Sequence, residues 1–149
     1  MSREIAFLRQ RGEEFATEKQ MPLIAVVDDD ESVCRALKRL VRSLKMEAET
    51  FSSGQEFVDL VEAMPSFHPD CLILDVQMTG MNGLDVQERL IQSGDPIPII
   101  FITAHDEVAV REKALARGAV AFLRKPFKDE LLIKTLEAGL KRGVRGKKG

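Results

Sequence analysis

Acidic, hydroxyl and ammonium side chains follow apolar runs at four places in this 149-residue chain. Asp28, Asp29 and Asp30 come directly after residues 23–27, and Asp75 directly after residues 71–74. Thr103 closes the run 97–102, with the small Ala104 next. Lys125 follows residues 120–123 through Arg124 and precedes Pro126. Carboxylates forced together repel, and without compensation some must take up protons. A hard divalent cation relieves that repulsion. Mg²⁺ suits a site with few protein ligands and several waters, with Mn²⁺ as its substitute. A lysine adds a second compensating charge. Such a set is built to receive a tetrahedral anion, so the chemistry expected is phosphoryl transfer. Asp75 is the expected nucleophile, because carboxylates form aspartyl-phosphates. Asp28 and Asp29 are expected to hold the metal, and Thr103 and Lys125 to meet phosphoryl oxygens. Each residue has an ordinary reading as well, such as acids favouring a helix amino terminus. Four strand ends supplying complementary groups is a much rarer coincidence.

For these groups to meet, the runs must be neighbouring parallel strands. Residues 23–27 and 71–74 are continuous, branched and apolar, as strands buried on both faces are. Residues 46–51, 97–102 and 120–123 complete a set of five. Between them lie amphipathic stretches. Val33, Leu37, Leu40, Val41 and Leu44 share one helical face. Ser53 with Glu56 reads as a capping box opening a helix that carries Phe57, Leu60 and Val61. A Gly- and Asn-containing turn at 79–83 precedes a helix with Leu84, Leu90 and Ile91, which Gly94 can end. Helices are also expected at 108–117, ended by Gly118, and at 128–141. The expected fold is α/β: a single doubly wound, five-stranded parallel sheet with helices on both faces. In such sheets, sites form beyond the carboxyl ends of the strands.

Composition narrows the function classes. Hydrophobic residues make up 44% and charged residues 31%, the mix of one globular domain with a full core. Net charge is −2 and Trp and Tyr are absent, so neither a basic footprint nor a base-stacking surface supports direct nucleic-acid binding. No apolar run approaches the ~20 residues that span a bilayer. The opening MSREIAFLRQRGEEFATEKQ lacks a secretory core, so a cytoplasmic location is expected. Cys34 and Cys71, with no CxxC spacing, read as buried reduced thiols. His68, in a connector before Pro69, reads as a surface residue. No GxxxxGK[ST] loop follows the first strand, which disfavours a nucleotide switch.

The motifs VVDDD at 26–30, LILDVQMTGMNGLD at 72–85, IIFITAHDE at 99–107 and GAVAFLRKPF at 118–127 occur in one order and spacing. Through them, residues 22 to about 141 resemble the receiver domain of bacterial response regulators, the phosphate-accepting half of two-component signalling. That resemblance implies a flavodoxin-like strand order, 2-1-3-4-5. It implies that Asp75 is the phosphoacceptor and that Asp28, Asp29, Asp75 and the backbone carbonyl of Gln77 surround a Mg²⁺ or Mn²⁺ ion. Thr103 and Phe122 become the switch hydroxyl and the switch aromatic, and Lys125 the family's lysine, preceding a cis peptide bond at Pro126. Gln77 and His105 fall where the family tunes dephosphorylation. Thr79 stands where the family usually has proline, which loosens the turn without removing a catalytic group.

The function expected is therefore a phosphoacceptor that takes its phosphoryl group from a sensor histidine kinase or phosphotransfer protein. It would catalyse only its own phosphorylation and dephosphorylation, then switch a face towards a downstream protein, as a monomer or a phosphorylation-dependent homodimer. The alternatives are a receiver fragment of a longer regulator and a small haloacid-dehalogenase-type phosphohydrolase. The latter needs an acid two residues after its nucleophile, where this chain has Gln77. The expected organisation is an extension at 1–20 (or a start at Met21), a receiver domain at 21–142, and a basic, disordered tail at 143–149.

Overall fold

The computed structural model describes residues 21–148, with side chains as far as 143. The extension expected at 1–20 lies outside the described residues. β1 (Leu23–Val27), β2 (Glu47–Phe51), β3 (Cys71–Asp75), β4 (Ile99–Thr103) and β5 (Ala121–Arg124) form one parallel sheet in the order β2-β1-β3-β4-β5. α1 (Glu31–Ser43), α2 (Gly54–Ala63), α3 (Gly83–Gln92), α4 (Val108–Ala116) and α5 (Asp129–Lys148) alternate with the strands. This is the doubly wound, flavodoxin-like sheet expected.

Strand alternation sorts the core into two layers. Ile24, Val26, Ile73, Ile100 and Ile102 face α1 and α5, meeting Cys34, Leu37, Val41, Leu132 and Leu136. Ala25, Val27, Leu72, Leu74 and Phe101 face α2, α3 and α4, meeting Phe57, Val61, Val86, Leu90 and Ala114. Every residue of β3 and β4 is buried, because each has a strand on both edges and helices on both faces. β1 sends the chain to β2 on one side, while β3 continues the sheet on the other, so the loops after β1 and β3 diverge and leave a crevice.

Local details depart from the expectation in instructive ways. Ser53 accepts a hydrogen bond from Glu56 N at 3.1 Å, but the Glu56 carboxylate accepts from Ser52 N rather than from Ser53, so the box is not closed. The closed box is at α3, where the Asn82 side chain accepts from Asp85 N at 2.9 Å and the Asp85 carboxylate from Asn82 N at 3.0 Å. His68 is not a lone surface residue, since its Nε2 lies 2.7 Å from Asp95 Oδ1. The largest departure is α5, whose backbone stays helical to Lys148, past the end at 141 that the amphipathic pattern predicts. The reason is docking. A Cβ at Gly139 would sit 3.0 Å from Cys71 Sγ, and one at Gly143 3.3 Å from Pro98 Cγ, so these small residues let the helix lie against the start of the sheet. Arg142 Nη1 pins the same turn by donating to Gly118 O at 2.7 Å.

Gly83 opens α3 against the end of β3, its N–H donating to Val76 O at 2.9 Å. A Cβ there would meet Asp75 O at 2.5 Å and both Phe101 Cε1 and Val76 Cα at 3.0 Å, mostly backbone that cannot step aside. Gly83→Ala is therefore expected to cost about 2 kcal/mol in urea unfolding. An unchanged midpoint would mean that α3 can slide away from Asp75 freely.

Candidate functional site

Register brings the polar strand ends together. Val27 pairs with Leu74, so Asp28 and Asp75 leave the sheet side by side. Asp28 continues the parity of Ile24 and Val26, and Asp75 that of Ile73, so both carboxylates belong to the α1 and α5 face. From beyond β5, Lys125 reaches the same point. Its Nζ lies 3.0 Å from Asp28 Oδ2 and 3.3 Å from Asp75 Oδ1. The Lys125–Pro126 peptide bond is cis.

The three consecutive acids after β1 divide their work. Asp28 is buried, 1% exposed, with Oδ1 accepting from Asp30 N at 2.9 Å. Asp29 is exposed at the mouth of the crevice. Asp30 points away to cap α1, its Oδ1 accepting from the Ser32 N–H at 2.9 Å and hydroxyl at 2.7 Å. Those two bonds hold the Asp30 carboxyl below the usual aspartate range. Helix capping thus accounts for one of the three acids and leaves two for the crevice.

Carboxylate oxygens of Asp28, Asp29 and Asp75 all lie within 4.8 Å of one another. Asp75 is 4% exposed. Burial, with the Asp28 charge next and Asp29 behind, pushes its carboxyl from 3.8 up to about 6, although Lys125 pulls the other way. Burial would pull the Lys125 ammonium down, but its hydrogen bond to Asp28 and the charges of Asp28 and Asp75 outweigh that and leave it above the ordinary lysine value. One cation therefore faces three carboxylates. Hard, crowded and under-compensated oxygens are the donor set of a hard divalent cation, so these residues fit Mg²⁺ or Mn²⁺. The same burial takes both cysteines out of thiolate chemistry: Cys71 is pushed up to about 12, and Cys34 is raised by burial and by the Asp28 charge.

Thr103 ends β4 on the opposite face of the sheet, continuing the parity of Phe101. It is fully buried, and its hydroxyl is engaged locally. Oγ1 donates to His105 O at 2.9 Å, accepts from His105 N at 3.0 Å and lies 3.4 Å from Gln77 Oε1. Phe122 pairs in register with Phe101, with ring centroids 6.0 Å apart, so Thr103 and Phe122 share a face on adjacent strands. Gln77 and His105 are exposed at the rim. The site residues expected from sequence thus lie in two groups at one end of the sheet: Asp28, Asp29, Asp75 and Lys125 in the crevice, and Thr103, Gln77 and His105 beside it, with Phe122 on the face that Thr103 shares. The ordinary reading of these acids, as favouring a helix amino terminus, applies to Asp30; sequence reasoning did not single it out, although the Asp-x-Ser spacing could have indicated it.

Comparison with known proteins reports the same region. The family model described as the response regulator receiver domain matches residues 24–137. The chain is 44% identical over 119 residues to the response regulator protein TodT of Pseudomonas putida, an alignment covering 80% of this chain and 51% of TodT. It is 33% identical over 118 residues to the transcriptional regulatory protein FixJ of Bradyrhizobium diazoefficiens, covering 79% of this chain and 56% of FixJ. The chain thus spans about half the length of the curated relatives it matches. Among solved structures, a response regulator receiver protein from Burkholderia phymatum superposes with a TM-score of 0.72 at 57% identity, over 80% of this chain and 95% of that one. Among the described residues, no helix is long and apolar enough to cross a membrane.

Proposed function

Since this chain belongs to the response regulator receiver domain family, we propose that Asp75 accepts a phosphoryl group from the phosphohistidine of a sensor kinase or phosphotransfer protein. One observation carries the reading: the Asp75 carboxylate is buried in the crevice, 3.3 Å from the Lys125 ammonium and within 4.8 Å of two further carboxylates. In the step itself, an Asp75 oxygen forms a new bond to phosphorus. The bond from phosphorus to the donor nitrogen breaks, and its electron pair leaves with the imidazole. Near neutral pH Asp75 is mostly ionised and thus nucleophilic. Lys125 is held by Asp28 where it can pair with a phosphoryl oxygen. Asp28, Asp29, Asp75 and the Gln77 carbonyl would hold Mg²⁺ or Mn²⁺. The ion's chemistry there is to neutralise charge on the transferred oxygens. A haloacid-dehalogenase-type hydrolase is not favoured, because the position two residues after Asp75 is Gln77, which cannot shuttle a proton.

The reading is tested by incubating the protein with acetyl phosphate and Mg²⁺ and measuring intact mass. One hydroxylamine-sensitive phosphoryl group is expected, and it should be lost on chelation beforehand. No mass gain, or a gain indifferent to the metal, would count against it.

Switching is part of the same proposal. Phosphate oxygens on Asp75 would offer Thr103 Oγ1 a charge-assisted partner in place of His105 O. Movement of Thr103 opens space on the face it shares with Phe122, and burying that ring gains on the order of 1–3 kcal/mol. Thr103→Ala is expected to keep phosphorylation while removing the phosphate-dependent shift of a ¹⁹F-labelled Phe122. An equal shift in parent and variant would break the coupling. Gln77 and His105, exposed beside Thr103 at the rim, are proposed to set the lifetime of the phosphoryl group by controlling attacking water. The near-neutral charge argues against nucleic-acid contact for the matched region only, since TodT and FixJ extend well beyond it.

A further inference from the structure

At the amino-terminal ends of the strands, one strand length (roughly 16 Å) from the aspartates, lies a cavity of about 1220 Å³. Its volume exceeds the roughly 300–1,000 Å³ of clefts that hold small ligands. Four of the chain's six prolines, Pro22, Pro69, Pro96 and Pro98, contribute to its wall. Their rings fix φ and donate no hydrogen bond, so these loops cannot close the space by pairing with one another. The remaining wall is largely apolar, and Ile91 beside it is 53% exposed. Nearby polar groups are already engaged, His68 with Asp95 at 2.7 Å and Arg142 with Gly118 O at 2.7 Å. Gln87, also in the wall, is 1% exposed and donates from Nε2 to Ala114 O, while its Oε1 has no partner among the described residues.

We propose that this cavity receives the chain's own residues 1–20, with Leu8 and Phe15 as its apolar anchors. The described chain starts inside the wall: Met21 lines the cavity and is 50% exposed. Phe15 stands six residues earlier, a reach of about 9 Å as helix and about 20 Å extended. The sequence spacing is that of one helical side for Ile5, Leu8, Gly12 and Phe15, an apolar stripe suited to an apolar wall. The segment's side chains carry four basic and four acidic charges, which matches a wall that offers apolar surface rather than unpaired charge. The covalent link gives the segment a local concentration on the order of millimolar, an advantage no free partner has. Docking at this end of the sheet leaves the crevice at Asp75 open, so the proposal is independent of the phosphoacceptor reading.

The chain contains no Trp or Tyr, so Phe15→Trp in the full-length protein gives a single fluorophore at the proposed anchor. The expected result is blue-shifted emission and an acrylamide quenching constant several-fold below that of free tryptophan. Adding Ile91→Asp, an exposed position that the core does not need, should return both to the values of water-exposed indole. Water-like emission in the single variant would overturn the proposal, as would emission that ignores Ile91→Asp. Blue-shifted emission that fades on dilution would also overturn it, assigning the cavity to a second copy of the chain.

Discussion

Asp75→Asn is expected to abolish phosphoryl acceptance and, in chelator-treated buffer at pH 7, to make the protein more stable by about 1–3 kcal/mol. The loss of acceptance follows because the amide is not a nucleophile at this position and no neighbour replaces it, Asp28 being tied to Lys125 and Asp30. The gain in stability follows from the crowding of charge. Burial and the Asp28 charge raise the Asp75 carboxyl from 3.8 to about 6 in the folded protein. Above pH 6 the group is ionised in both states and the folded state bears the strain. As pH falls through about 6 towards 3.8, the folded state binds a proton that the unfolded chain does not yet hold, and the strain is relieved. The stability difference between variant and parent should therefore be largest near pH 7 and shrink towards pH 4. Urea unfolding of both proteins across that range, with chelator, measures it. A variant no more stable than the parent at pH 7, or a difference independent of pH, would show that Asp75 is not strained. Adding Mg²⁺ should reverse the order, because the parent gains a ligand that the variant has weakened.

Lys125→Met should act in the opposite sense. The substitution keeps most of the apolar stem and removes the one cation that, among the described residues, pairs with Asp28 and Asp75 beside Asp29. Asp28, 1% exposed, would then retain only the Asp30 N–H among its described hydrogen-bond donors. Breaking a buried ion pair from one side costs 3–5 kcal/mol. Lys125 is 21% exposed, so water recovers part of that, and a loss of about 2–4 kcal/mol in metal-free urea unfolding is expected. Mg²⁺ should restore a larger fraction of stability to the variant than it adds to the parent, since it supplies the missing charge. Phosphorylation by acetyl phosphate should slow by about 10²-fold, the usual effect of removing one donor from developing anionic oxygens. Unaltered metal-free stability would mean that the aspartates do not depend on this lysine.

Much of this protein was legible in one dimension, because the signals involved are local. The runs at 23–27 and 71–74 read as buried strands since both of their faces are covered, and β1, β3 and β4 lie inside the sheet. The polar residue that ends such a run must emerge at the sheet's carboxyl edge, so Asp28, Asp75, Thr103 and Lys125 were identifiable before any distance was known. Their convergence was expected, but their distances were not legible. Lys125 and Asp28 are 97 residues apart, and only the register of five strands puts them 3.0 Å from each other. The Asp-x-Ser spacing marks Asp30 for the α1 start, but nothing local tells Asp28 from Asp29 as the buried acid. Burial at the crevice claimed Asp28, and the geometry of the α1 start claimed Asp30. The length of α5 escaped for a related reason: composition at 143–149 speaks of solvation, while Gly139 and Gly143 are small so that a helix can lie against Cys71 and Pro98. The cavity beside Met21 is likewise assembled from loops far apart in the chain. Periodicity records which side of an element meets a core. Pair distances, shifted carboxyl groups and enclosed volumes depend on how elements meet each other through space, and that is decided only when the sheet closes its register.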